Sequence, residues 1–175
     1  SFLRVLKMAK KKNITILGVT GSVGQSTVDV VLNSHELFNV HAITANKNVT
    51  LLAESAKKLN ADKAIIGDES LLDELKTLLQ ETEIEALAGS HAIEQCAGEQ
   101  VDVVVCAIVG LAGLRPLMQA LQHGNDVAIA NKEPLVAAGA LIKSIAARTG
   151  ALLLPVDSEH NAISVSYTHL RAHET

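Results

Sequence analysis

Three glycines at a fixed spacing, a lysine between two amides, and two carboxylates one residue apart are the groups in this chain whose types and positions could do chemistry. Gly18, Gly21 and Gly24 recur every third residue within Asn13-Ile-Thr-Ile-Leu-Gly-Val-Thr-Gly-Ser-Val-Gly-Gln25. Such glycines allow a tight turn and let the backbone approach a pyrophosphate, while amides at the start of a following helix point at its charge. Thr20 and Ser22 add hydroxyl donors. The spacing is a relative of G-x-G-x-x-G rather than that form. Glycines needed only for close helix–strand packing are the alternative, and an apolar run before with a helix after favours nucleotide binding.

The other candidates follow the same logic. About 20 residues beyond such a loop, an NAD site carries an acidic residue for the ribose 2′-hydroxyl. Here the chain reads Ala45-Asn46-Lys47-Asn48, with no carboxylate. A lysine flanked by amides can neutralise a 2′-phosphate, which favours NADP(H) over NAD(H); a solvated lysine in a polar turn is the plainer reading. Ala107-Ile-Val-Gly110 is small and apolar enough to admit a flat ring, or to be ordinary packing. Asn131-Lys132-Glu133-Pro134 sets three polar groups where a strand ends and a helix begins. In Pro155-Val-Asp157-Ser158-Glu159-His160-Asn161, two carboxylates on one side of an extended segment could hold a hard cation such as Mg²⁺ or Mn²⁺. Paired acids at a loop start are also common without metal.

Positioning these groups requires alternating strands and helices. Ile14–Val19 reads as a buried strand, followed by a helix from about Gly24 to Ser34 with Val28, Val31 and Leu32 on one face. Next come a strand over Asn39–Thr44, a helix over Val49–Leu59 capped by Asn48 or Thr50, and a strand over Lys63–Ile66. Leucines 71, 72, 75, 78 and 79 place one amphipathic helix over Glu69–Glu81. Glu83–Ala88 is a fourth strand and Ala92–Ala97 a short helix. Val101–Ala107, almost unbroken in β-branched residues, suits a sheet centre buried on both faces. A turn at Gly110–Gly113, a helix over Leu114–His123 and a strand over Asp126–Ala130 follow. Pro134 and Gly150 bracket the last helix, and Ala151–Val156 is the last strand. The alternation implies an α/β fold: a Rossmann-like, doubly wound, mostly parallel sheet flanked by helices, with ligands beyond the carboxyl ends of its strands.

Composition narrows the class. With 175 residues, 48% of them hydrophobic, the chain suits one domain with a real core, and only two Phe and one Tyr make that core aliphatic. A net charge of −4 and no basic cluster beyond Lys10–Lys12 argue against nucleic-acid binding. No apolar run approaches membrane-spanning length. Cys96 and Cys106 form neither a metal pair nor a disulfide framework and fit a reducing cytoplasm. His35, His41, His91 and His123 fall on helices or loops with no partner pattern and read as surface groups. Residues 1–7 read as a non-native or upstream leader, since Met8-Ala-Lys-Lys-Lys12 is itself a natural kind of start.

The segments Gly18–Gly24, Asn46–Thr50, Ala107–Gly110, Ala130-Asn-Lys-Glu133 and Leu153-Leu-Pro-Val-Asp-Ser-Glu-His-Asn-Ala-Ile163 occur in the order seen in 1-deoxy-D-xylulose 5-phosphate reductoisomerases, and from about Lys12 to Ile163 the chain resembles that family. The resemblance implies an NADPH-binding domain over 8–156 and the start of a catalytic, metal-binding segment over 157–163. It implies Thr20, Gly21, Ser22 and Val23 at the pyrophosphate and Asn46, Lys47 and Asn48 at the 2′-phosphate. Asn131 and Glu133 would then lie nearer the nicotinamide, and Lys132, a catalytic group, on the substrate. Asp157 and Glu159 would be ligands for Mg²⁺ or Mn²⁺, with Ser158 and the catalytic Glu159 also touching a phosphorylated sugar. The family is homodimeric and cytoplasmic, and couples a skeletal rearrangement to hydride transfer from NADPH, with the metal as Lewis acid.

Departures from the pattern are few. Asn46 stands where glycine is common and Pro134 where serine is common. After Ile163 the resemblance stops, and Ser164–Thr175 reads as a foreign tail on a truncated gene, so that the piece binds cofactor without turnover. Two other readings are a stand-alone NADP-sensing module and another NADP-dependent dehydrogenase.

Overall fold

The computed structural model describes residues 11–155. Apolar, β-branched runs become seven strands: β1 (Lys12–Leu17), β2 (Phe38–Ala45), β3 (Lys63–Ile66), β4 (Glu85–Ala88), β5 (Val103–Cys106), β6 (Asp126–Ile129) and β7 (Leu153–Pro155). They form one sheet in the order β4-β3-β2-β1-β5-β6-β7. Every pairing is parallel, so the sheet is wholly rather than mostly so. The order reverses direction between β1 and β5, where a crevice opens above the carboxyl ends.

Six helices cover the two faces of the described sheet. On one side α1 (Ser22–Asn33), α2 (Val49–Leu59) and α3 (Leu72–Leu78) bring Val28, Val31, Leu52 and Leu75 against Ile14 and Ile16. On the other, α4 (Ser90–Gly98), α5 (Leu114–Gln122) and α6 (Glu133–Thr149) bring Ala97, Leu117, Leu121 and Ile142 against Leu17 and Ile129. The unbroken β5 run follows from this double cover. Val103 and Val105 face the first core, Val104 and Cys106 the second, and none is more than 1% exposed. Burial pushes the Cys106 thiol up to about 11 and that of Cys96, behind β2 and β3, up to about 12, so both are inert apolar groups. No helix of the described residues is long and apolar enough to cross a membrane.

Polar ties lock the amino-terminal side. Asp102 Oδ2 accepts the Asn13 N–H (2.7 Å). Asn125, 2% exposed, accepts the Val101 N–H (3.2 Å) and donates to the Ala97 and Glu99 carbonyls (3.0 and 2.8 Å). Asp126 Oδ1 accepts the Leu152 N–H (2.8 Å).

Several boundaries differ from the sequence reading, each for a local reason. The first helix starts at Ser22, because Gly21 in extended conformation serves as its N-cap. Glu69–Glu81 is not one helix: Asp68 accepts the Ser70 N–H and starts a 3₁₀ turn at Glu69–Leu71, and α3 covers only Leu72–Leu78. Its end bends into a turn in which the Thr82 hydroxyl donates to the Leu79 carbonyl (2.7 Å). The turn expected at Gly110–Gly113 is present as a 3₁₀ turn, whereas α6 breaks helical geometry at Ala138 (φ −140°, ψ 30°). Asn48 rather than Thr50 caps α2, accepting the Leu51 N–H (3.2 Å).

His41 is not a surface loop residue. It lies on β2 with Nε2 3.4 Å from Glu99 Oε1 and Nδ1 3.8 Å from Asp62 Oδ2. Lys63 Nζ donates to both Glu99 oxygens (3.2 and 2.9 Å). Partial burial opposes ionisation of Glu99, but Lys63 and His41 outweigh it and hold the carboxyl below its usual range. The hydrogen bond to Glu99 in turn raises Lys63 above its usual value, against partial burial. A depressed carboxyl stabilises the fold above its unfolded pKa, roughly 4.3, and the contribution fades as pH falls through the folded value. The raised lysine contributes below roughly pH 10.4 and loses its effect only as pH rises through the folded value. Glu99→Gln is therefore expected to lower stability at neutral pH and to flatten the acid-side loss below about pH 5, read from urea unfolding across a pH series.

Candidate functional site

The turn after β1 is shaped by contacts within the chain itself. Gly24, in the first turn of α1, packs on it so closely that a Cβ there would lie 2.2 Å from the Gly18 carbonyl oxygen. Gly18, at φ +79°, faces Ala107 and Ile108 after β5, where a Cβ would lie 2.8 Å from the Ile108 nitrogen. Side chains then fix the turn. Thr44 Oγ1, at the end of β2, accepts the Gly18 N–H (3.1 Å), and Gln25 Nε2 donates to the Val19 carbonyl and Ser55 Oγ (2.9 and 3.2 Å).

Gly21 differs from both. Its backbone is extended and ordinary (φ −79°, ψ 178°), and a Cβ there would meet nothing within 4 Å. The protein does not fill the space above it. Gln25 N–H makes the first rung of α1 onto the Gly21 carbonyl (2.9 Å), so the Val23 and Gly24 amides ahead of it have no acceptor inside the helix. A helix start of this kind, opening beside the space above Gly21, suits an anion. The open space is a cleft of about 740 Å³ over the carboxyl ends of β1, β2, β3 and β5, bounded by Thr20, Gly21, Asn46, Gly67, Ala107 and Ile108 among others.

Of the residues singled out in the sequence, Thr20, Gly21 and Asn46 border this cleft directly, and Ser22 and Val23 open α1 beside it. Lys47 is exposed in the adjoining turn. Asn48 caps α2 through its side-chain oxygen. Asn131 Nδ2 donates to the Ile108 and Gly110 carbonyls (3.1 and 3.0 Å) and its Oδ1 accepts the Glu133 N–H (3.2 Å), so it braces the wall formed after β5. Glu133 is exposed with its carboxylate toward Gly110, and Lys132 is exposed at the start of α6. Asp157, Ser158, Glu159 and His160 lie outside the described residues, and among the described residues no three His, Cys, Asp or Glu side chains could hold a metal ion.

The sequence reading passed over Thr44, Gln25, Asp68 and the α4–α5 side of the cleft. Asp68 follows β3. Its N–H donates to the Asn46 carbonyl (2.9 Å), and its carboxyl, bonded to the Ser70 hydroxyl and amide and near the Lys47 charge, is held below the usual carboxylate range. On the far wall, Ser90, Ile93, Glu94 and Arg115 also border the cleft. None of these had a local motif; only the strand order brings them together.

A parallel sheet of this order, with an open cleft over a glycine-spaced turn at its switch point, defines a Rossmann-like dinucleotide-binding domain. A family model described as 1-deoxy-D-xylulose 5-phosphate reductoisomerase matches residues 14–139, and the chain belongs to that family. It is 44% identical over 162 residues to the reductoisomerase of Zymomonas mobilis, covering 93% of this chain and 42% of that protein. The solved structure of the Zymomonas mobilis enzyme in complex with NADPH aligns over 89% of this chain and 41% of that one, with a TM-score of 0.83. A second reductoisomerase structure, in complex with NADPH, fosmidomycin and magnesium, aligns over 94% of this chain and 42% of that one at 33% identity and a TM-score of 0.80. The chain thus spans about two fifths of the length of these relatives.

The glycines should separate in experiment. Gly24→Ala must displace backbone atoms and is expected to cost several kcal/mol, on the scale of about 2 or more, whereas Gly21→Ala should cost under about 1 kcal/mol. Denaturant midpoints of the two variants check this directly.

Proposed function

We propose that this chain is the NADPH-binding part of a 1-deoxy-D-xylulose 5-phosphate reductoisomerase, which rearranges and reduces that sugar phosphate to 2-C-methyl-D-erythritol 4-phosphate. The observation that carries the reading is the space over Gly21: two glycines of the turn are demanded by the chain's own packing, and the third borders a cleft that the chain leaves open. The NADPH-bound relative supports the same assignment.

In this reading Thr20, Gly21, Ser22 and Val23 cradle the pyrophosphate with hydroxyls and helix-start amides. Asn46, Lys47 and Asn48 take the adenosine 2′-phosphate. Lys47 supplies the charge, Asn46 a side chain at the cleft, and Asn48 the rigid start of α2. Asn131 fixes the wall beside the nicotinamide through its bonds to Ile108 and Gly110, and retains a lone pair on Oδ1 for a ligand. Glu133 and Lys132, both exposed at the start of α6, lie at the reacting end, Glu133 on the cofactor and the catalytic Lys132 on the substrate. The bound cofactor supplies the hydride.

The divalent ion assigned to Asp157 and Glu159, with Ser158 on the substrate, belongs to residues 157–163, the start of the catalytic segment that follows the cofactor domain of 8–156. A homodimer of the full-length protein and a cytoplasmic setting, which suits two buried free thiols, complete the proposal.

Calorimetric titration of the chain with NADPH and NADH tests the reading. NADPH should bind more tightly by about tenfold or more, and Lys47→Ala should remove most of that preference while leaving NADH binding within about twofold. Equal affinity of the unaltered chain for both cofactors would reject the role of Lys47, and no binding of either would reject the site.

A further inference from the structure

The far wall of the cleft carries charges that neither the glycine turn nor the Lys47 turn explains. Of the residues bordering the cleft, Arg115 is the sole cation and Glu94 the sole carboxylate, and the two face each other with Nη1 3.8 Å from Oε1. They come from different helices. Arg115 is in the first turn of α5 and Glu94 is midway along α4, whose packing sets the distance between them. The Arg115 side chain is 84% exposed while that of Glu94 is 23% exposed. The carboxylate is therefore the fixed partner, and the guanidinium lies at the open mouth.

What lies beneath the pair decides its use. Ile93, Leu114 and Pro116 border the same end of the cleft, making an apolar floor between the starts of α4 and α5. Apart from this pair and Ser90, the polar side chains that border the cleft are Thr20 at the glycine turn and Thr44 and Asn46 at the end of β2. In a dinucleotide site the adenosine ribose sits after the second strand, so the base attached to it extends toward the third strand and the helices beyond. Here that direction leads from Asn46 and Gly67 to Ile93 and Arg115.

We propose that Arg115 is an additional cofactor-binding residue, its guanidinium lying flat on the outer face of the adenine ring, with Ile93, Leu114 and Pro116 beneath and Glu94 holding the guanidinium in register. The inference rests on the dinucleotide reading of the cleft and assigns its adenine end. A planar, weakly hydrated cation suits a π face better than an ammonium does, and its attachment to a carboxylate on a neighbouring helix reduces the rotamer freedom lost on stacking. In the dinucleotide reading the nicotinamide half lies instead beside Asn131 and Glu133, away from this pair.

The test uses the full chain and three ligands: NADPH, adenosine 2′,5′-bisphosphate as the adenine half alone, and reduced nicotinamide mononucleotide as the other half. Arg115→Ala should weaken NADPH and the bisphosphate by the same factor, roughly three- to fivefold, and leave the mononucleotide unchanged. Arg115→Lys should recover less than half of that loss. Unchanged bisphosphate affinity in Arg115→Ala, equal loss for both halves, or full recovery by lysine would each overturn the assignment. Failure of the unaltered chain to bind NADPH at all would instead remove the underlying site. Because Arg115 is at the surface, thermal midpoints of both variants should stay within about 2 °C of the parent, which separates lost stacking from lost fold.

Discussion

The close approach of α1 to β1 is the constraint on which the remainder of the site depends. With hydrogen alone on Gly24, the helix sits against the Gly18 and Val19 carbonyl region. With hydrogen alone on Gly18, that turn in turn lies against Ala107 and Ile108. The start of a helix, the end of one strand and the loop leaving another are thereby brought together at the sheet's switch point. A methyl at either position would push these walls apart and displace the helix start from its place beside the cleft. Side-chain ties from Thr44 and Gln25 then hold what the absence of side chains makes possible.

The polar residues around the cleft divide between holding and reaching. Asn48, Asn131 and Asp68 spend side-chain atoms on backbone groups of the chain, ordering the turns on which ligand contacts depend. Lys47, Lys132 and Glu133 are exposed in those same turns. Desolvation by a bound molecule strengthens the electrostatics of such groups, and their flexible stems allow them to adapt. Asp68, in the turn after β3, spends its carboxylate on the Ser70 amide and hydroxyl and its own N–H on the Asn46 carbonyl, which ties the two turns together.

What the sequence disclosed and what it withheld follow the range of the forces involved. The alternation of elements, the β5 run and a cap at Asn48 or Thr50 were legible because they depend on neighbours a few residues apart. The leucine pattern of Glu69–Glu81 misled: helical spacing shows which face is apolar, but Asp68 capping and the Thr82 turn decide where the helix starts and stops. His41 was missed because its partners, Asp62 and Glu99, are supplied by pairing across strands and by the end of α4. Arg115 and Glu94 meet only because α4 and α5 pack side by side. The glycine turn was legible as a motif, yet its three positions look alike in sequence. Only the distances show that two are filled by the chain and one is open.

The polar residues at the amino-terminal side of the sheet have a consequence of another kind. A strand such as Val103–Cys106, buried on both faces, would keep its apolar surface covered if it slid along its neighbours, so hydrophobicity alone chooses poorly among offsets. Asp102, Asn125 and Asp126 break that degeneracy, since each can satisfy its backbone partner in one alignment only. They act as index marks for the stack. A strand advanced by one position would carry its outgoing loop roughly 3.3 Å too far, opening or blocking the crevice at the opposite end. The faithfulness of the upper rim is thus decided at the lower one, a sheet's length away, by side chains that no ligand touches.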